Sequence, residues 1–453
     1  MLQGMVFTDG DIWRETRRFT LRHLREMGMG KHSMEEQILE EIRALMKDAK
    51  RMAGDDWSKP VPVHDHHCCF RSKYHTATRR RLQSKMEEVA SHSQGLANLE
   101  TSVVASLELS GIWSVKPVAQ MAAFSSEDET GNNIRRPCSC REKNNLFERD
   151  DPRMSELMKL VKKLTMGIHP SRGLASSFPI LLRVFPWLTE YPAFKVIRDE
   201  IRQYCQDMIN DHKKKLDENN ASDFLDAYLI EMKKHGETST FNTRQLIGVV
   251  NDLFIAGSDT TTGALAYGIL NMVLNPNIQN KIQDEIDAVV GSERLPSSDD
   301  RIKMPYIDAT INEILRFANV VPLAVPHSVL ISDKDVTFKG YNIPQGTRII
   351  INLFDLHMDR KYWGDPDNFR PERFLESSGT VRKDEALLPF GKGKRSCVGE
   401  SLARTNLFIT FTSLLQNFAL RLPEGVPRPS TEPEGELTFT TKPFSILMKP
   451  RNL

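Results

Sequence analysis

The chain of 453 residues, 40% of them hydrophobic, is long enough to bury a large core as one very large domain or a few ordinary ones. Its 61 basic and 60 acidic side chains nearly cancel, which excludes a global electrostatic case for nucleic acid or an anionic membrane surface. The six cysteines fall as two close pairs, Cys68 with Cys69 and Cys138 with Cys140, and two singles, Cys205 and Cys397. That is no secreted disulfide framework, and it points to a reducing, cytosol-facing environment. No signal peptide and no uninterrupted apolar run of membrane-spanning length is present, since Asp252 and Asp259 interrupt the most apolar stretch.

In chain order, residues 8–50 predict helix, with Ile12, Phe19 and Leu24 on one side and an Ile/Leu pattern from Met34 to Met46. Residues 66–145 are rich in His, Cys, Ser, Arg and Glu without sustained periodicity and are expected to be a disordered insertion. His64, His66, His67, Cys68, Cys69, Cys138 and Cys140 lack the ligand spacing of a zinc site. Helical patterning returns near Arg153 and runs to about Leu330, with breaks at Pro186, Pro192 and Asn219-Asn220. Asn275 is expected to cap a helix from Pro276 whose stripe is Ile278, Ile282 and Ile286, ending at Gly291. Short strands follow at 328–331, 336–338 and 348–352, then a helix after Cys397 and an alternating tail, 437–448, that reads as a hairpin. The fold class is mainly α with minor β.

One cysteine stands out. In Phe390-Gly-Lys-Gly-Lys-Arg-Ser-Cys397-Val-Gly399 it lies between glycines just before an apolar helical run. A helix N-terminus there would favour thiolate. Gly393 permits a tight turn, Gly399 lets backbone approach a flat macrocycle, and Arg395 suits a propionate. An isolated cysteine of this kind is ordinarily a buried core residue. The full pattern, followed by Ala403, resembles the haem-binding signature of the cytochrome P450 family and looks most like its microsomal animal clan.

Two further segments carry the resemblance. Glu313 and Arg316 share a helix face and, with Arg373 in Pro371-Glu-Arg373-Phe374, resemble the family's structural triad. Ala256-Gly-Ser-Asp259-Thr260 resembles its oxygen-activating motif, which implies catalytic roles for Thr260 and Asp259 and contact of Ala256 with the cofactor. By the same likeness Trp13, Arg17 and His327 join Arg395 around the haem propionates, and Phe390, Cys397 and Gly399 complete the cofactor set. Val249, Asp252, Val321, Leu323, Val325 and Phe439 would line the substrate pocket.

The resemblance implies a P450 fold that is N-terminally truncated, lacking an anchor helix, and that carries the insertion: residues 1–65 and 146–453 would form the haem domain around 66–145. It implies haem b with an axial Cys397 thiolate and monooxygenation of a lipophilic small molecule such as a steroid, terpenoid, fatty acid or xenobiotic by O2. Electrons would come from NADPH through NADPH-cytochrome P450 reductase, docking near Arg17, Arg18, Lys392 and Lys394, with no nucleic-acid partner. Residence on the cytosolic face of the endoplasmic reticulum membrane is expected from the family, and a cytoplasmic location from the lack of an anchor. The alternative is a haem-binding but catalytically impaired fragment.

Overall fold

The structure is a computed structural model that describes residues 4–63 and 180–451, apart from 31, 55–56, 186, 188, 190, 237–239, 330–334 and 436, together with Leu160. The expectations for 66–145, and for helix between Arg153 and residue 179 apart from Leu160, lie outside the described residues.

Two amphipathic helices open the chain, α1 (Gly10–Glu26) and α2 (His32–Ala53), followed by a short strand β1 (Val61–Val63). Phe19 and Leu24 of α1 are buried as expected, but Ile12 is exposed. After the short α3 (Leu181–Val184) come α4 (Tyr191–Lys215), α5 (Phe224–His235) and the longest described helix, α6 (Thr243–Leu274). Pro192 sits in the first turn of α4, where its missing N–H has no helical partner to lose. The Asn219-Asn220 turn separates α4 from α5, and Asn242 caps α6 by accepting the Gln245 N–H at 3.0 Å.

The predicted helix beginning at Pro276 is α7 (Pro276–Val289), with Ile282 and Ile286 fully buried. Each such side chain contributes about 1.5–3 kcal/mol of burial. Asn275 does not cap it: its amide turns back to donate to Asn271 O at 3.0 Å, and Pro276 alone shapes the start. Helix α8 (Pro305–Ala318) ends on Asn319 in a left-handed conformation, φ 42°.

The strand region is thinner than its alternation predicts. β2 (His327–Ser328) pairs with β5 (Arg348–Ile349), and β3 (Val336–Phe338) pairs with β4 (Tyr341–Ile343). Short helices α9 (Leu353–His357) and α10 (Arg360–Trp363) and a 3-10 turn (Pro371–Phe374) lead to the cysteine loop and α11 (Glu400–Asn417). β6 (Phe418–Arg421), β7 (Pro433–Glu434), β8 (Thr440–Thr441) and β9 (Phe444–Pro450) close the chain. The tail is not the hairpin expected over 437–448. β9 is central in an antiparallel sheet of order β1-β9-β6, while β8 pairs with β7. Phe444, Ile446 and Met448 alternate inward because one face of β9 is buried, and its partners are the distant β1 and the preceding β6 rather than a strand across a local turn.

Among the described residues, two large hydrophobic clusters make most of the core, with a small third one around Ala309, Trp363 and Phe374. One joins α1, α4 and α5 to the N-terminal half of α6, up to Phe254. The other joins α2, α7, α8, α11 and the sheet to its C-terminal half from Ala264 onward. Helix α6 is the spine common to both, and its stretch from Ile255 to Gly263 lies at the seam.

Candidate active site

That seam is where the polar motif falls. Helix α6 is buried almost all round, yet Ala256 is exposed and Thr260 half-buried in mid-helix. Such exposure marks an opening beside this one face. Thr260 donates its hydroxyl to Ala256 O at 2.8 Å, as Thr262 does to Ser258 O at 2.9 Å, while Asp259 is buried at 8% exposure. The helix runs without interruption through Gly257.

The cysteine loop meets the seam through Val398, which packs on the cluster containing Leu253 and Ile255. Gly391 and Gly393 hold φ +70° and +83°, the left-handed turns glycine makes cheaply. The Cys397 N–H donates to Phe390 O at 2.9 Å, and the Gly399 N–H donates to Cys397 Sγ at 3.3 Å. Cys397 is accessible on its open side but enclosed elsewhere by protein. That enclosure raises the thiol above its ordinary value, opposed by the Gly399 N–H and Arg17 and assisted by Glu400. Coordination to a metal would deprotonate the sulfur outright. A Cβ on Gly399 would meet nothing but that sulfur, at 3.9 Å, so the face beside it is flat and open.

Two cations flank the loop. Arg17 donates to Ser396 O at 2.7 Å, and Arg395 lies over the Trp13 ring at 4.0 Å while donating to Met5 O and Thr8 O. Burial lowers both guanidinium pKa values, and for Arg395 the neighbouring Arg17 lowers it further against Asp9. Among the described residues no carboxylate pairs with either. His327 lies on β2 with Nδ1 2.7 Å from Val325 O, which can only accept, so Nδ1 carries the hydrogen.

Glu313, Arg316 and Arg373 are brought together in full burial. Arg316 donates to both Glu313 oxygens at 2.7 and 2.8 Å and to the carbonyls of His357 and Pro366. Arg373 reaches Glu313 at 3.1 Å and the carbonyls of Trp363, Asp365 and Asn368. The triad staples α8 to the segment before the cysteine loop.

The pocket expectation divides. Phe439 approaches α6 so closely that a Cβ on Gly263 would lie 3.0 Å from its carbonyl, and its N–H donates to Val320 O at 2.8 Å. Val321 and Leu323 are half-buried and Val325 is exposed on the same connection. Val249 and Asp252 do not face an opening. Val249 is fully buried in the core, and the Asp252 carboxylate accepts the Met5 and Val6 N–H groups at 2.6 and 2.9 Å. Burial pushes Asp252 up to about 7 despite those bonds, and its work is to hold the segment before α1.

Sequence reasoning missed two residues. Arg404 covers the Phe390 ring at 5.0 Å and donates to Asn312 of α8 at 3.0 Å; its spacing from Glu400, one helical turn, was the available signal. The other is His357, whose ring bridges Asn319 and the Leu388 N–H. Elsewhere His212 faces Asp226 and Asp223 at 3.0 and 3.5 Å, and the other oxygens of the two acids are taken by Ser222 and by the Asp226 N–H. That group is a hydrogen-bonded staple between α4 and α5.

An accessible sulfur on a glycine-lined face, a pair of cations without a carboxylate, and a half-buried threonine beside an exposed alanine in mid-helix fit an anionic planar cofactor bound through a thiol. The family model described as cytochrome P450 matches residues 138–448. This chain belongs to the cytochrome P450 family. It is 32% identical over 458 residues to human cytochrome P450 2U1, covering 99% of this chain and 70% of that protein. It is 32% identical over 449 residues to a farnesoate epoxidase of Bombyx mori, covering 99% and 76%, and 34% identical over 427 residues to human cytochrome P450 2J2, covering 93% and 70%. As a P450 it is a haem-thiolate monooxygenase acting on lipophilic molecules. Among the described residues no helix is long and apolar enough to cross a membrane.

Proposed function

We propose that Cys397 is the axial ligand of haem b and that the enzyme inserts one atom of O2 into a lipophilic small molecule beside α6, with electrons from NADPH delivered by a flavoprotein reductase. The observation that carries the proposal is the coincidence of the accessible Cys397 sulfur with the unpaired Arg17 and Arg395 at one loop. Haem bound there supplies the redox chemistry that activates O2, and a thiolate donor favours O–O cleavage.

The chain's own residues do the rest. Arg17 and Arg395, with Trp13 between them and His327 on β2, would hold the two propionates by charge-assisted hydrogen bonds. Thr260 gives its proton to Ala256 O and so keeps both hydroxyl lone pairs for a water or an oxygen-bound proton in the opening. Asp259, one residue before it and buried, would help to relay protons. Val321, Leu323, Val325 and Phe439 supply apolar lining, which suits a steroid, terpenoid, fatty acid or xenobiotic. The farnesoate epoxidase relative favours trying a terpenoid acid first. Exposed Arg18, Lys392 and Lys394 on the cysteine side offer the cationic face a reductase needs. The likeness to the animal relatives supports a place on the cytosolic face of the endoplasmic reticulum membrane.

The test is the absorption of the reduced carbon monoxide complex together with reductase-supported turnover. The haem-loaded protein should show the long-wavelength band of thiolate ligation, Cys397→Ala should lose it, and NADPH consumption should yield oxygenated product. A thiolate band that survives Cys397→Ala refutes the ligand assignment. NADPH oxidation with every tested lipophile yielding only peroxide refutes the monooxygenase assignment in favour of an impaired haem protein.

A further inference from the structure

We infer that His357 is a positioning residue for the cysteine loop: neutral and locked in one tautomer, it ties the C-terminal cap of α8 to the backbone at Leu388, where the loop begins. This rests on the haem-thiolate reading of Cys397.

The argument starts from the donors. The Leu388 N–H donates to His357 Nε2 at 3.0 Å. A backbone amide can only donate, so Nε2 must present its lone pair, and the ring hydrogen must sit on Nδ1. Nδ1 lies 3.1 Å from Asn319 Oδ1, which accepts it. Turning the Asn319 amide over would set its NH2 against Nδ1 and force the hydrogen onto Nε2, facing the Leu388 N–H. The chain of bonds therefore has one direction, from Leu388 through the ring to Asn319.

The ring is also anchored behind. The carbonyl of His357 accepts Arg316 Nη1 at 2.8 Å, so the triad pins its backbone while the side chain reaches for the loop. His357 has no exposed surface. From Leu388 the connection is short. The Gly391 N–H donates to Leu388 O at 3.0 Å, and the Phe390 carbonyl of the same peptide unit accepts the Cys397 N–H at 2.9 Å. Helix α8 thus grips the loop twice, through Asn319 and His357 at Leu388, and through Asn312 and Arg404 at Phe390. His357 touches neither the sulfur nor the face of Gly399; it acts through the backbone between Leu388 and Cys397. A ligand that must sit within about half an ångström of its productive place needs such support.

The experiment compares the parent chain with His357→Leu and His357→Gln. Leucine removes the acceptor at similar volume, whereas glutamine can accept from Leu388 with its oxygen and donate to Asn319 with its nitrogen. Amide hydrogen exchange at Leu388 to Cys397 is read before haem loading, and the share of the reduced carbon monoxide complex absorbing at the thiolate wavelength is read after it. His357→Leu should raise Leu388 exchange about tenfold or more, as expected for a buried N–H left without its partner. It should also move absorbance to the shorter wavelength of a neutral or lost thiol ligand, and His357→Gln should restore most of both. Exchange and band shares in His357→Leu equal to the parent overturn the inference, and so does a glutamine variant as damaged as the leucine one. Should His357→Leu not fold, Asn319→Gly decides: it relaxes the φ 42° backbone while removing the acceptor, and unchanged Leu388 exchange there overturns the tether. A parent without the thiolate band would sink the reading of Cys397, while the exchange arm would still judge the tether.

Discussion

Acidification is expected to destabilise the protein through His357, and the size of the effect follows from its surroundings. Burial first, and Arg316 second, push the imidazole down from 6.5 to about 4. A second proton would have to sit on Nε2, directly against the Leu388 N–H. Because the folded pKa is depressed, the unfolded chain binds more protons between those values. The contribution is therefore complete above about 6.5 and is lost as pH falls toward about 4. The interval corresponds to about 3 kcal/mol, a large part of the 5–15 kcal/mol that domains typically possess. Two acids oppose it. Burial pushes Asp252 and Asp223 each up to about 7, so their protonated forms favour the fold and their contribution grows as pH falls from about 7 toward 3.8. The parent's pH profile alone would hide the histidine. Urea unfolding of the parent and of His357→Gln, measured in parallel at intervals from about pH 7 to pH 4, cancels the two acids, since both proteins carry them. The stability of the parent relative to the variant should fall by about 3 kcal/mol across that range. A difference that stays flat within about 0.5 kcal/mol would refute the tautomer-locked, neutral histidine.

Glu313→Ala leaves Arg316 and Arg373 buried without their acid and should cost about 3–5 kcal/mol in urea unfolding, whereas a loss under 1 kcal/mol would mean the carbonyl partners suffice. Thr260→Ala should leave haem binding intact but divert reductase-delivered electrons to peroxide, checked by the ratio of product to NADPH consumed. Gly263→Ala places a methyl 3.0 Å from Phe439 O and should displace that edge of the pocket, changing the product ratio or the spectral affinity for substrate at a cost of about 1–3 kcal/mol. Asp252→Ala removes the acceptor of the Met5 and Val6 amides and should be read as faster hydrogen exchange before α1.

What the sequence revealed and what it hid divide along the range of the interactions involved. The α7 stripe, the Glu313–Arg316 pair and the Phe390–Gly399 turn are local: each is set by residues within a few positions, and periodicity or glycine placement displays them. The tail failed as a hairpin because alternation at 444–448 reports only that one face of a strand is buried, and a strand paired with β1 some 380 residues earlier alternates identically. Asp252 shows the same limit in the site. Its position on the helix that carries Thr260 suggested the pocket, but its side chain points to Met5 and Val6, and which face of a buried helix meets which neighbour is decided by packing across 247 residues of sequence. His357 is the extreme case. A single histidine in Asp355-Leu-His357-Met has no pattern, and its meaning lies wholly in three partners, Arg316 and Asn319 at the end of α8 and Leu388 before the loop. The motif residues announce the chemistry because they meet a cofactor common to a family, whereas the residues that aim them are legible only once the chain has brought α8 and the loop together. Substitutions at such aiming residues should therefore disturb the spectrum and the exchange of Cys397's loop without altering any residue that a sequence pattern would single out.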